Sequence, residues 1–148
     1  MKKVIFPGSF DPFTTGHDAL VKRALVFADE VVIAIGVNIE KKTMFTVEDR
    51  VENIQSVYKD ENRIKVLTYN NLTADFAKET NADCILRGVR NITDFEYEKN
   101  MADINRKLTG IETVILFSEP EYEYVSSNLV RELKKFGKDI TNLIPITK

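Results

Sequence analysis

The run Val31-Val32-Ile33-Ala34-Ile35, closed by Gly36, constrains the fold more than any other stretch of this chain. Its successive apolar residues, most of them β-branched, show no alternation with polar ones, so the strand they form is a central one buried on both faces. Such a strand needs cover above and below the sheet. Val21, Ala24, Leu25 and Ala28 recur at helical spacing over 18–28, which predicts a helix immediately before it. Val4-Ile5-Phe6 is a shorter apolar run ahead of that helix. The opening therefore reads β-α-β, a unit that is parallel and right-handed within one sheet and takes ligands at the carboxyl ends of its strands.

The rest of the chain repeats the alternation. Further strands are expected at Ile64-Lys65-Val66-Leu67, at Cys84-Ile85-Leu86 and over 112–117. Between them, Val47, Val51, Ile54 and Val57 mark a helix behind an imperfect capping box at Thr46, and a short helix from Thr73 is expected to bury Phe76 and Ala77. Tyr97, Met101, Ile104 and Leu108 form a helical stripe ending at Gly110, the kind of stripe that lies in a core or an oligomer contact. Ser126 and Ser127 open a last helix with Leu129, Leu133 and Phe136 expected on its buried side, and after Gly137 the tail reads as a short closing segment. These elements predict one doubly wound α/β domain over 1–148 with a five-stranded parallel sheet.

Composition narrows the partners. A chain of 148 residues that is 43% hydrophobic and 30% charged is expected to be a soluble globular domain with its own core. Its formal net charge of −2 gives no global pull toward nucleic acid or an anionic membrane, so any phosphate site must be a local cluster of cations. No segment has the roughly 18 to 20 consecutive apolar residues that span a bilayer, and Met1-Lys2-Lys3 leads into a strand too short for the apolar region expected of a signal peptide. Cys84, alone, has no partner for an internal disulfide or a metal cluster, and reads as a small core residue of a cytoplasmic protein.

The residues that carry chemistry follow strand ends. After the first strand, Ser9-Phe10-Asp11-Pro12 leads to Thr14, Thr15 and Gly16, with the only histidine, His17, in the first helical turn. Unpaired N–H groups at such a terminus attract phosphate, and His17 adds a donor. Lys41 and Lys42 lie in the loop after the second strand, and Arg87-Gly88-Val89-Arg90 follows the fourth, where two guanidiniums bracketing a glycine form an anion clamp. Each fragment alone also has a structural explanation: a capped turn, a solvated lysine pair, a common arginine-glycine motif. Together they place donors and cations along one rim. Neither a Walker glycine loop nor G-x-G-x-x-G occurs, and no Ser-His-Asp or Cys-His set suggests a covalent intermediate. That inventory suits phosphoryl or nucleotidyl transfer, in which the substrate supplies the nucleophile.

Gly8-Ser9-Phe10-Asp11-Pro12 with Thr14-x-Gly16-His17 resembles the signature of nucleotidyltransferases bearing an (H/T)xGH motif, and in its fuller form that of the bacterial phosphopantetheine adenylyltransferases. Four further segments match: Lys41-Lys42-Thr43-Met44-Phe45-Thr46, Leu72-Thr73, Arg87-Gly88-Val89-Arg90 running into Asp94-Phe95-Glu96-Tyr97-Glu98, and 122–131. Serine replaces the family's usual threonine at Ser9, threonine a proline at Thr43, and asparagine a hydroxyl residue at Asn128. The resemblance implies transfer of AMP from ATP to 4′-phosphopantetheine, giving dephospho-coenzyme A and pyrophosphate. It implies catalytic roles for His17, Lys41 and Arg87, and substrate contacts at Ser9, Lys41, Leu72, Thr73 and Arg87. ATP contacts are implied at Ser9, Phe10, His17, Gly88, Val89, Arg90, Glu98, Tyr122, Glu123, Tyr124, Val125, Ser126, Ser127 and Asn128. It further implies Mg2+ bound mainly through the ATP phosphates, coenzyme A as a feedback ligand and a homohexamer. Two other readings fit the same residues: a related adenylyl- or cytidylyltransferase with another acceptor, and a non-catalytic ATP-binding regulatory module.

Overall fold

In the computed structural model, which describes residues 1–147, five strands and five α-helices alternate among the described residues. They are β1 (Lys3–Gly8), α1 (Thr15–Ala24), β2 (Glu30–Gly36), α2 (Val47–Val57), β3 (Ile64–Tyr69), α3 (Thr73–Glu79), β4 (Cys84–Val89), α4 (Ile92–Thr109), β5 (Glu112–Phe117) and α5 (Ser127–Lys135). The strands form one parallel sheet in the order β3-β2-β1-β4-β5. From β1 the chain winds outward to β2 and β3, then crosses back to β4 and β5. The switch point thus lies between β1 and β4, and the crevice beyond their carboxyl ends is where a doubly wound sheet binds its ligand.

Burial follows the sequence pattern. Val31 to Ile35 of β2 are all buried, as an unalternating run requires. On one face Val4, Phe6, Ile33 and Leu86 pack with Val21 and Ala24 of α1 and Ile54 of α2. On the other, Ile5, Ala34 and Ile85 pack with Ala77 of α3. Each fully buried aliphatic side chain contributes about 1.5–3 kcal/mol, so the central strands are a stiff platform for the loops at their ends. Gly110 closes α4 at φ 78°, a left-handed conformation that glycine adopts without a Cβ penalty.

The doubly wound α/β expectation is borne out, and several local readings are corrected. Helix α1 begins at Thr15 because Thr14 caps it, and it ends at Ala24, so residues 25–28 lie beyond it. Arg87 and Gly88 lie within β4 rather than past its end, and only Arg90 follows the strand. Val130 is the buried residue of α5; Leu129 and Leu133 are half-buried and Phe136, beyond the last turn, is 71% exposed. Phe76 is half-buried and stacked on Tyr69. The α4 stripe is not core in this chain: Tyr97, Ile104 and Leu108 are exposed, while Glu98 and Asn105 point inward. Cys84 is only half-buried, with burial first and Asp83 second pushing its thiol pKa up.

Candidate active site

The loop after β1 is held by side chains from three later segments. Phe10 sits at φ 49°, left-handed and unusual for a residue with a Cβ. A conformation of this kind costs about 1–3 kcal/mol and persists only where its surroundings over-determine it. Here the Ser9 carbonyl accepts from Arg50 Nη1 at 2.7 Å, the Asp11 carbonyl from Arg131 Nη1 at 2.8 Å, and the Pro12 carbonyl from Ser127 Oγ at 2.7 Å. The buried Asp11 carboxylate accepts the Met44 and Phe45 amides at 2.9 and 2.8 Å, which draws the 38–45 loop over the first. Lys41 Nζ then reaches Ser9 Oγ at 3.3 Å.

His17 is the third residue of α1, and a capping box fixes its ring. Its backbone N–H donates to Thr14 Oγ1 at 3.3 Å, while its Nδ1 accepts the Thr14 backbone N–H at 2.9 Å. A backbone N–H can only donate, so the neutral ring carries its proton on Nε2. Phe13 stacks on the imidazole at 5.3 Å, and the edges of Phe6 and Phe10 complete an aromatic collar. Burial, then the Arg87 charge, then the Arg90 charge lower the His17 pKa from 6.5 to about 3. His17 is therefore a neutral donor with a fixed tautomer.

That shift predicts a pH signature. The folded pKa lies below the unfolded one, so between them the unfolded chain binds the extra proton. The stability linked to His17 is complete above about pH 6.5 and is lost as pH falls toward about 3. Ring 15N shifts of this single histidine should report the neutral Nε2–H tautomer from about pH 8 down to about pH 4. A midpoint near the ordinary histidine value would contradict the assignment.

Arg87 and Glu98 form the strongest ion pair of the site. Arg87 Nε and Nη2 donate to the two Glu98 oxygens at 2.8 and 2.7 Å, and Nη1 donates to the Pro7 carbonyl at 2.5 Å. Burial pulls the Arg87 pKa down, but the Glu98 hydrogen bonds and charge more than offset it and leave it raised. Arg90 pairs with Asp94 at 3.0 Å. Gly88 is a close-approach position, since a Cβ there would come 2.3 Å from Leu20 Cδ1 of α1.

A cavity of about 820 Å3 opens at the rim between β1, β2 and β4, and Ser9, Lys41, Leu72, Thr73, Arg87 and Glu98 line it. The expected substrate-contacting residues thus converge on one space. Of the expected nucleotide residues, Phe10, His17, Gly88, Val89 and Arg90 lie beside it rather than in its wall. The 122–128 segment covers the start of α1: a Cβ at Gly16 would lie 3.5 Å from the Val125 carbonyl and 3.9 Å from Tyr122 Cβ. Val125 is buried there, Ser126 caps α5 through the Leu129 N–H, and Glu123, Tyr124 and Asn128 are exposed. Asn128 Oδ1 accepts from Arg131 Nη2 at 3.3 Å. The two helix N-termini therefore meet across the first loop, as the rim reading expects.

Sequence reasoning passed over Arg50 and the role of Asp11. Arg50 sits four residues before Ile54 and seven before Val57, on the buried stripe of α2, so its position carried a legible signal. Asp11 lay inside the matched motif, but its use of a distant loop's amides has no local signature. No helix among the described residues is long and apolar enough to cross a membrane.

Comparison with known proteins agrees with this geometry. A model of the cytidylyltransferase-like family matches residues 5–133. The chain is 58% identical over 145 residues to the phosphopantetheine adenylyltransferase of Bacteroides fragilis, covering 98% of this chain and 97% of that one. Identity is 57% over 145 residues with the protein of that name from Phocaeicola vulgatus, covering 98% and 96% of the two chains. It is 46% over 147 residues with that of Porphyromonas gingivalis, at the same coverages of 98% and 96%. A solved bifunctional NMN adenylyltransferase/ADP ribose pyrophosphatase from Francisella tularensis superposes with a TM-score of 0.72 at 15% identity, over 99% of this chain and 45% of that one, a likeness of fold.

Proposed function

The chain belongs to the cytidylyltransferase-like family and, within it, to the phosphopantetheine adenylyltransferases, and on that premise we propose how its residues carry the reaction. It is an enzyme that transfers AMP from ATP to 4′-phosphopantetheine, giving dephospho-coenzyme A and pyrophosphate for coenzyme A synthesis. A phosphate oxygen of the acceptor attacks the α-phosphorus in line. The bond from that phosphorus to the pyrophosphate oxygen breaks as the new phosphoanhydride forms, with no covalent enzyme intermediate.

The observation that carries the roles is the tautomer of His17: a neutral Nε2–H at the mouth of a helix, close enough to two guanidiniums for both to depress its pKa. Such a donor stabilises charge that grows on the α-phosphate oxygens in the transition state. Ser9, Lys41 and Arg87 hold the acceptor phosphate, and Leu72 and Thr73 line the path of its arm. Phe10, Gly88, Val89, Arg90, Glu98 and the 122–128 segment form the nucleotide side. Glu98 acts there by orienting Arg87.

Magnesium bound to the ATP phosphates supplies neutralisation of the triphosphate charge. Among the described residues no group of three or more His, Cys, Asp or Glu side chains could hold a metal ion, and on this reading the ion would be carried mainly by the ATP phosphates and water. Coenzyme A carries the same phosphopantetheine arm as the acceptor and enters the same cavity as a feedback ligand. The exposed Ile92, Phe95, Tyr97, Ile104 and Leu108 of α4 support assembly into a homohexamer, and the enzyme works in the cytoplasm.

Pyrophosphate release from ATP and magnesium, measured with and without 4′-phosphopantetheine, tests the reading. Release that depends on the acceptor is expected. Release with nicotinamide mononucleotide instead would replace the acceptor, and ATP binding without release would leave only a regulatory module.

A further inference from the structure

Arg50 breaks three local rules at once. It is 3% exposed, it sits in the first turn of α2 where the helix dipole disfavours a cation, and none of the ion pairs among the described residues includes it. Burying a charge without a partner is costly, and arginine stays charged. Glu48 and Asp49 of the same turn are exposed and pair with nothing in those bridges. Asp11, two residues beyond Ser9, turns its carboxylate to the Met44 and Phe45 amides and is in none of those bridges either. What Arg50 does touch is backbone: Nη1 donates to the Ser9 carbonyl at 2.7 Å and Nε to the Thr46 carbonyl at 3.4 Å. Lys41 approaches the hydroxyl of the same Ser9. One residue at the cavity mouth thus has a cation behind its carbonyl and another before its side chain.

We propose that Arg50 is a positioning residue for AMP transfer whose missing counter-charge is the phosphate of the bound substrates. Its planar fork spans Ser9 and the Thr46 cap of α2, which sets the Ser9–Phe10 turn in its left-handed form and aims the Ser9 hydroxyl into the cavity. Its charge lies directly behind that turn and is neutralised when phosphate arrives in front of it. This role rests on the nucleotidyl-transfer reading, but its anion-binding half can be measured without turnover.

The experiment compares the full-length wild type with Arg50→Lys and Arg50→Gln. Inorganic pyrophosphate affinity is measured by calorimetry, kcat and KM for AMP transfer by pyrophosphate release, and the melting temperature without ligand. Arg50→Gln should bind pyrophosphate about tenfold more weakly or worse, and Arg50→Lys within about threefold of wild type, because lysine restores the charge. Both should lose at least about tenfold in kcat with KM for ATP changed less in the lysine variant, because a point charge cannot bridge two carbonyls at a fixed angle. If Arg50→Gln does not fold, the lysine variant's split between retained affinity and lost kcat still decides. Wild-type pyrophosphate affinity in Arg50→Gln, or wild-type kcat in Arg50→Lys, would overturn the proposal. A wild type that binds pyrophosphate yet releases none from its substrates would overturn the functional reading instead, and the affinity comparison would still judge Arg50.

Discussion

The His17→Ala variant is expected to lose about 100- to 1,000-fold in kcat while binding ATP within a few-fold of wild type, since it removes the donor proposed to face transition-state charge. His17 has a second job as half of the capping box of α1, and losing a cap costs only about 0.5–2 kcal/mol of stability. That loss cannot account for the rate in a protein that remains folded. Single-turnover pyrophosphate release alongside calorimetric ATP binding separates the two effects. Equal losses in both would place His17 in ground-state binding, and a rate within tenfold of wild type would remove it from the chemistry.

Arg87→Met is expected to be the most destabilising single change at the site, because it leaves the Glu98 carboxylate buried and unpaired. Glu98 is 5% exposed, whereas the Arg87 side chain keeps 32% of its surface in contact with solvent. Removing one partner of a buried pair costs about 3–5 kcal/mol, and partial hydration puts this site near the lower end. Arg87→Met/Glu98→Leu should recover most of the stability and none of the turnover, because the guanidinium proposed to hold the acceptor phosphate is still missing. Denaturant midpoints and kcat/KM for the single and double variants check both halves, and a double variant no more stable than the single one would show that the unpaired carboxylate is not the cause.

Much of this architecture was written locally. The β2 run specified a strand covered on both faces, and it lies second from the edge with all five apolar residues buried. The Ser9–His17 motif placed a donor at a helix N-terminus, and Thr14 caps that helix. What local pattern could not carry was pairing between distant segments. The matched segment singles out Glu98, but nothing local shows that β4 brings Arg87 against it. Phe136 and Tyr97 fit apolar stripes, yet each stripe extends past the surface that a single chain can cover. The crossover from β3 to β4, which creates the crevice, depends on packing of whole layers rather than on any residue in the connection.

The ties from α5 to the first loop also bear on the order of assembly. Ser127 reaches Pro12 and Arg131 reaches Asp11 across 115 and 120 residues of chain. Contacts that close so long a loop form late, after the entropy of bringing distant segments together has been met by the rest of the fold. As the polypeptide is made, the Ser9–His17 stretch is translated well before residues 127–131. The turn within it acquires its last two supports only when residues 127–131 arrive. The Ser9–His17 loop is therefore complete only once α5 has docked against it, although it is translated long before that helix.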